Sequence, residues 1–419
     1  MQSNYSKRLF SNFSALAIVQ GTNFLLPIII IPYVIAKIGP DGFGVVSVAQ
    51  VVMMFFATIA DYGFNLTATR EASVNRENSY ILSKIFFTVL ATKFFICILL
   101  FGLLLFGMLF IPLIKANAVL YLLAFVSVIG QSFLTNWLFQ GIEKMRLVMY
   151  ISLIARSIFI ALVIVFIKDK DDSIYFIFFM GVGNLFAGLL SIIVAFKVLR
   201  LRRVIPRWRD IISELRKGWH IAMSNVSVSI YMYANILILR IFTNDAIVGY
   251  YSVAERVIFA ARQILSVYFQ SIYPQVCQLA IKSKDELSHY FLKYYRPFLL
   301  TVLAGCIFLF IASEPVVALF LKERNTVSAD YLRILSIVPF IVCLNIPSYQ
   351  VLIAHNEKKT LLTIFTLGTI VNIGLSLLLI PMMGALGTTY TVVITEFLIT
   401  TSLILAMVRN QKIRVRFVN

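Results

Sequence analysis

Apolar residues along this chain gather in blocks of about twenty, separated by short polar runs. At 1.5 Å per helical residue, such a block crosses ~30 Å of hydrocarbon. Twelve blocks are readable, at about 12–36, 45–64, 85–111, 118–139, 147–167, 174–196, 218–242, 246–274, 298–321, 331–354, 360–380 and 388–408. A barrel strand needs only ~10 residues and alternates in polarity, so these blocks predict helices. The expected fold class is an all-α integral membrane protein with twelve transmembrane helices. The leading "MQSNYSKRLFSNF" is mildly basic, but the block after it is long and lacks an Ala-x-Ala exit. The first block is therefore expected to stay as a span and not to be cleaved as a signal.

Composition agrees. The 419 residues are 60% hydrophobic, against roughly 45–50% in soluble domains. Cys97, Cys277, Cys306 and Cys343 lie in or near the blocks with no close pair, which suits small apolar fillers better than a disulfide framework.

Net charge is +18, and its placement is informative. When polar runs are assigned alternately to the two sides, one side collects 25 of the 37 Lys and Arg residues. The other holds Lys37, Lys115, Lys168, Lys170, Lys322 and Arg324. The positive-inside rule places both termini in the cytoplasm. Nucleic acid is not the expected partner, because the charge is spread over many short segments. The stretch "KVLRLRRVIPRWRDIISELRKGW" reads as a basic cytoplasmic linker with an interfacial amphipathic helix. Topology and attraction to anionic lipid are its expected roles, weighed against direct substrate contact.

Two short words recur. "GVVSVAQVV" (Gly44–Val52) and "GYYSVAERV" (Gly249–Val257) each open the second span of a six-span half. "GIEKMRLVMYISL" and "HNEKKTLLTIFTL" enter the fifth and eleventh spans. The chain accordingly reads as an N-terminal lobe of residues 1–196, a linker of 197–217, and a C-terminal lobe of 218–419 that ends in a cytoplasmic tail. Repeats of this kind place a substrate site at mid-depth between halves.

The eighth span carries Glu255, Arg256 and Arg262, although a charge at mid-membrane costs roughly 2.5–3.5 kcal/mol on insertion scales. Ser252, Glu255, Phe259, Arg262 and Ser266 share a helix face by their spacing. Lys93, Arg156, Arg240 and Arg333 also fall within or at the edges of spans. Lys93 and Arg333 are expected to snorkel, and Arg240 to reach the same cavity as the eighth span. Asp61, Glu314 and Glu396 are the remaining carboxylates counted in or near spans. Asp61 reads as a proton or cation site or as a cap. Glu396 reads as protonated or paired with a distant cation. Cations outnumber anions in this count, which favours an anionic ligand such as a pyrophosphate head group, since arginine forks match its oxygens. Mutual pairing of the charges is the competing reading. "GVGNLFAG" (Gly181–Gly188) is a small-residue face suited to close helix packing. Pro27, Pro32, Pro315, Pro339 and Pro347 are expected to kink or break their helices.

No phosphate-binding Gly-x-x-x-x-Gly-Lys-Ser/Thr and no His-Glu-x-x-His occurs. His220, His289 and His355 are scattered. The chain is read as no enzyme, with no cofactor and with the proton gradient as the candidate energy source. The short outside loops speak against a membrane glycan polymerase.

"ADYGFNLTATREAS" (Ala60–Ser73), "NWLFQGIEKM" (Asn136–Met145) and "GYYSVAERV…SIYP" (Gly249–Pro274) together resemble the Wzx O-antigen flippases. These form the polysaccharide-transporter branch of the multidrug/oligosaccharidyl-lipid/polysaccharide exporter superfamily. The resemblance implies two six-helix lobes around a central cavity. It implies translocation of undecaprenyl-pyrophosphate-linked oligosaccharide units from the cytoplasmic to the periplasmic leaflet by alternating access. A polymerase and a chain-length regulator of the same pathway would act afterwards. In that frame Arg256, Arg262, Arg240, Arg156 and Lys93 line a cationic cavity, and Glu255, Asp61 and Glu396 order them or exchange a proton. The resemblance reaches Glu255 and Arg256 directly, since both sit in a matching word. A cation-coupled multidrug exporter of the same superfamily is the second reading.

Overall fold

In a computed structural model, the described residues are 2–355 and 357–409. The description excludes the side chains of 2–20 and 23–28 and of isolated positions elsewhere, most of them between 267 and 284. Pro27, His220, Cys277 and Pro274 thus lie outside the described side chains, and the tail expected to be cytoplasmic, 410–419, outside the described residues. Among those described, every regular element is a helix. With no water in a bilayer core, the helix satisfies each backbone N–H and C=O within one segment.

The chain divides into two compact units, Met1–Ile30 with Lys37–Ser229, and Ile31–Ala36 with Ile230–Asn419. The first opens with α1 (Gln2–Asp61), which covers the first two predicted spans. They are separated at Gly39, where φ is 74°. A side chain there would be strained, and Pro40 then starts the following helix, where its missing N–H costs nothing. After α1 come α2 (Phe64–Val74), α3 (Ser79–Phe110), α4 (Pro112–Ala116), α5 (Ala118–Phe133), α6 (Asn136–Gly141), α7 (Met145–Phe166) and α8 (Ser173–Leu199). Asn78 caps α3, its side-chain oxygen accepting from the N–H of Tyr80 and Ile81. Between α5 and α6 the helix breaks, and the freed N–H of Thr135 donates to Ser191 Oγ at 3.0 Å.

Backbones touch where α5 meets α8. A Cβ on Gly130 would stand 2.3 Å from Leu185 N, and one on Gly188 2.6 Å from the Gly130 carbonyl oxygen. Gly181 and Gly188 of "GVGNLFAG" therefore face α5. Apolar side chains gain little by leaving lipid for protein, so close backbone approach becomes the main source of helix association.

α9 (Trp208–Phe242) runs from the first unit into the second. The second continues with α10 (Asp245–Lys282), α11 (Lys284–Tyr290), a π-helical turn at Phe291–Tyr295 and α12 (Arg296–Ile311). α13 (Ser313–Leu321), α14 (Thr326–Leu335), α15 (Val338–Ala354), α16 (Lys358–Met383) and α17 (Ala385–Arg409) complete it. Pro315 and Pro339 stand in the first turns of α13 and α15, where the helix has just restarted, whereas Pro347 stays inside α15. Polar side chains cross-link this unit. Asn345 donates to Thr400 Oγ1 at 3.1 Å, and Ser376 donates to Asn235 Oδ1 at 2.9 Å. Cys97, Cys306 and Cys343 are buried free thiols, as apolar fillers should be.

Among the described residues, nine helical stretches are long and apolar enough to cross a membrane. There are ten if the bent pair Ile221–Ile230 and Met232–Phe242 is one span. Of the twelve expected, the first block lies largely outside the described side chains, and the eighth, on α10, carries the charges Glu255, Arg256 and Arg262 within its apolar stretch.

The coil after α8 is fastened to α3. Arg202 N–H donates to Ser83 Oγ at 3.0 Å, and Lys84 pairs with Asp210 at 3.1 Å. The Arg207 N–H, and then Lys84, hold the Asp210 carboxyl below the usual carboxylate range. A depressed pKa gives an attachment present above the ordinary range near ~3.9 and lost as pH falls through the lowered value. Amide exchange over residues 207–214, corrected for its intrinsic pH dependence, should be equal at pH 7 and pH 5, and faster in D210N at both. G130A and G188A should each lower the unfolding midpoint in detergent, by about 3 kcal/mol since backbone must move. G102A, with open space around the new Cβ, should leave it unchanged.

Candidate functional site

A charged side chain inside an apolar helix needs a partner, because an isolated ion in a low-dielectric medium is too costly to keep. The structure supplies one for each membrane-region cation singled out from the sequence. In the first unit, Lys93 is 2% exposed on α3, and its Nζ lies 2.9 Å from Asp61 Oδ1 at the end of α1. Asn65 Nδ2 donates to the other oxygen of the same carboxylate at 3.0 Å. The ammonium also stands 5.8 Å from the centre of the Phe64 ring. Tyr62 and Gly63, both at positive φ, make the turn that brings α2 and its Asn65 back to Asp61. The Lys93 ammonium is thus held by a carboxylate at the end of α1.

Arg156 on α7 donates from Nη1 to Thr22 Oγ1 on α1 at 2.7 Å. This partner is a neutral hydroxyl, and among the described residues no carboxylate forms an ion pair with Arg156.

In the second unit, Arg240 does not extend along the eighth span. Its Nε and Nη2 fork onto the two oxygens of Asp245 at 2.5 and 3.0 Å, and its Nη1 donates to the Thr243 carbonyl at 3.2 Å. The guanidinium thus closes the α9–α10 turn. Arg262 on α10 reaches Glu396 on α17, with Nη2 2.7 Å from Oε1. Glu396 is 4% exposed, and Arg262 is its distant cation. Glu255 lies within electrostatic range of both Arg256 and Arg262, and Arg256 within range of Tyr233 on α9. Buried Tyr251 also faces Glu255 and Arg262. Arg333 pairs with Glu314 at 2.6 Å and with Asp330 at 2.8 Å at an exposed helix end.

These contacts correct the charge count. Six cations (Lys93, Arg156, Arg240, Arg256, Arg262 and Arg333) were set against four carboxylates. Asp245 answers Arg240 and Asp330 joins Glu314 on Arg333, whereas the partner of Arg156 is neutral. Both aspartates were missed because they stand in polar runs just outside the apolar blocks. The Arg240–Asp245 pair was nonetheless legible, since only five positions across a tight turn separate the two residues. Lys93–Asp61 and Arg262–Glu396 join elements far apart in the chain, and no local signal announces them.

The arrangement offers two kinds of chemistry. The α10–α17 cluster holds two arginines and two glutamates, a neutral set whose arginine forks match phosphate oxygens. The Asp61–Lys93 pair is a compact ionic lock. Among the described residues, no group of three or more His, Cys, Asp or Glu side chains gathers as a metal site.

Comparison with known proteins agrees with this architecture. The family described as "Polysaccharide biosynthesis protein" matches residues 9–280. A protein of Escherichia coli (strain K12) with the name "Putative O-antigen transporter" is 27% identical over 405 residues, covering 96% of this chain and 97% of the relative. Among solved structures, the lipid II flippase MurJ in an inward closed conformation superposes with a TM-score of 0.71 at 14% identity, covering 95% of this chain and 87% of that one. An inward-facing multidrug resistance MATE transporter of the MOP superfamily superposes at 0.63 with 16% identity, covering 93% and 96%. At such identities the two structures share the fold. The match to the family over most of the chain shows kinship, and the chain belongs to the polysaccharide biosynthesis protein family, in line with the resemblance carried by its three sequence words.

Proposed function

We propose that this protein is a flippase that carries undecaprenyl-pyrophosphate-linked oligosaccharide units, of the O-antigen type, from the cytoplasmic to the periplasmic leaflet. Its twelve spans would form two six-helix lobes in the inner membrane, with both termini cytoplasmic, and transport would proceed by alternating access. A polymerase and a chain-length regulator would receive the product. Support comes from family membership and from a transporter relative aligned over nearly its whole length. The observation that carries the reading to residues is the neutral arginine–glutamate cluster on α10 and α17.

In this reading the cluster works by exchange of partners. A pyrophosphate presents more acceptor oxygens than a carboxylate, so it competes with Glu396 for Arg262 and with Glu255 for Arg256. Each glutamate displaced is a buried carboxylate without its cation, which favours proton uptake. Substrate binding and proton binding are thereby linked, with the gradient as driving force. Arg156, whose partner is a neutral hydroxyl, is the further cation ready to receive an anionic group. Lys93–Asp61 and Arg240–Asp245 serve mainly to hold helices, so the cationic cavity is narrower than the sequence count suggests.

The drug-exporter reading has one observation in its favour, the shared fold with MATE transporters. A cationic drug prefers free carboxylates, however, and Glu396 is already bound by Arg262.

The test is a liposome flipping assay with a short-chain isoprenyl-pyrophosphate oligosaccharide, with and without a pH gradient. Wild-type protein should transfer the lipid faster with the gradient, and R262A should lose transfer by at least tenfold while its expression stays normal. A fully active R262A would remove the arginine from the site. Absence of transfer of any pyrophosphate-linked lipid by wild type would favour the drug exporter. For the ionic lock, K93M and D61N should each lower folded yield, at a cost of about 3 kcal/mol for a buried charge left alone. The double variant K93M/D61N should recover much of that yield, as measured by monodisperse protein after extraction.

A further inference from the structure

The coil between α8 and α9 is dense in positive charge. Arg200, Arg202, Arg203 and Arg207 are all exposed within eight residues. Among the described residues, no ion pair reaches these four guanidinium groups. The nearby carboxylates are engaged elsewhere. Asp210 is held by Lys84 and by the Arg207 N–H, and Glu71 and Glu214 pair with Lys217 at 3.1 and 2.7 Å.

Two large apolar side chains stand among these arginines. Ile205 is 92% exposed and Trp208 is 55% exposed. The coil is held in place, since Leu201 is buried in the core of the first unit and Arg202 N–H is bound by Ser83. Trp208 lies edge-to-face on Phe95, with ring centres 5.0 Å apart. Phe95 is about 18 Å along α3 from Ser83 at 1.5 Å per residue. Ile98 and Leu99 share its face by their spacing, and both are more than half exposed. An exposed apolar flank on a membrane helix faces acyl chains. Trp208 thus leans onto the lipid-facing side of α3, and the arginines stand at the same end of that helix as its polar cap. An indole at the membrane–water boundary with cations just outside it is the arrangement that interfacial anchors use.

The geometry points to a platform for anionic phospholipid on the first unit. Arg200, Arg202, Arg203 and Arg207 engage the head-group phosphates, while Ile205 and Trp208 sit at the edge of the acyl region. The pyrophosphate of a lipid-linked substrate shares this chemistry. The commitment is to bulk phospholipid, because Trp208 continues the lipid-exposed flank of α3. The role is independent of the proposed transport reaction, so binding is measured without transport.

Purified full-length protein in neutral detergent is titrated with phosphatidylglycerol or phosphatidylcholine, and the thermal midpoint is followed. Phosphatidylglycerol should raise the midpoint, and phosphatidylcholine should leave it nearly unchanged. R202Q/R203Q/R207Q should need roughly a hundredfold more phosphatidylglycerol for the same rise, about fivefold per arginine. R203Q alone, the milder change, should need about fivefold more. K115Q/K168Q/K170Q removes equal charge from other segments and should titrate like wild type. The inference is overturned if the arginine variants titrate like wild type, or if both triple variants weaken alike. It is also overturned in favour of the substrate head group if geranylgeranyl pyrophosphate abolishes the phosphatidylglycerol effect at equimolar concentration.

Discussion

The need to pair every ion kept in an apolar medium organises much of this protein. Leaving one buried charge alone costs several kcal/mol, whereas a well-placed partner offsets most of that. Once a lysine stands in the middle of α3, the end of α1 must deliver a carboxylate to it, as Asp61 does at 2.9 Å. Once an arginine stands in the middle of α10, α17 must present one as well, as Glu396 does. Each pair fixes the rotation of two helices about their axes more tightly than leucine against leucine would.

Packing follows from the same solvent. Lipid tails are as apolar as the side chains they touch, so helices gain little by hiding leucine from lipid. The first unit responds with backbone contact, α5 and α8 approaching through Gly130 and Gly188. The second responds with side-chain hydrogen bonds such as Asn345 to Thr400 and Ser376 to Asn235. Breaks in the long helices are satisfied in the same spirit, as where Ser191 receives the N–H of Thr135. Among the described residues, one apolar flank of α3, with Phe94, Ile98 and Leu99, stays exposed.

Two different uses of arginine emerge. Inside, Arg256 and Arg262 stand among the glutamates Glu255 and Glu396, so their charge is answered within the cluster. On the coil after α8, Arg200, Arg202, Arg203 and Arg207 are exposed, and among the described residues no ion pair reaches their guanidinium groups.

The helical, membrane-spanning class was legible in sequence because it depends on local apolar density, which a chain carries wherever it folds. The break at Gly39–Pro40 and the cap at Asn78 are legible for the same reason, being set by neighbouring residues. The eighth-span charges were visible as a cost that required an explanation. The explanation was not visible, because Lys93 and Asp61 are 32 positions apart, and Arg262 and Glu396 are farther still. Periodicity gives the face on which a charge stands, but not the helix that faces it. The sequence count did not show that Arg240 would meet Asp245, or that Arg333 would meet both Glu314 and Asp330. Composition decided that charges would be buried, and tertiary structure decided which would meet, because pairing is a matter of distance in space and the chain encodes that only through how all its helices pack.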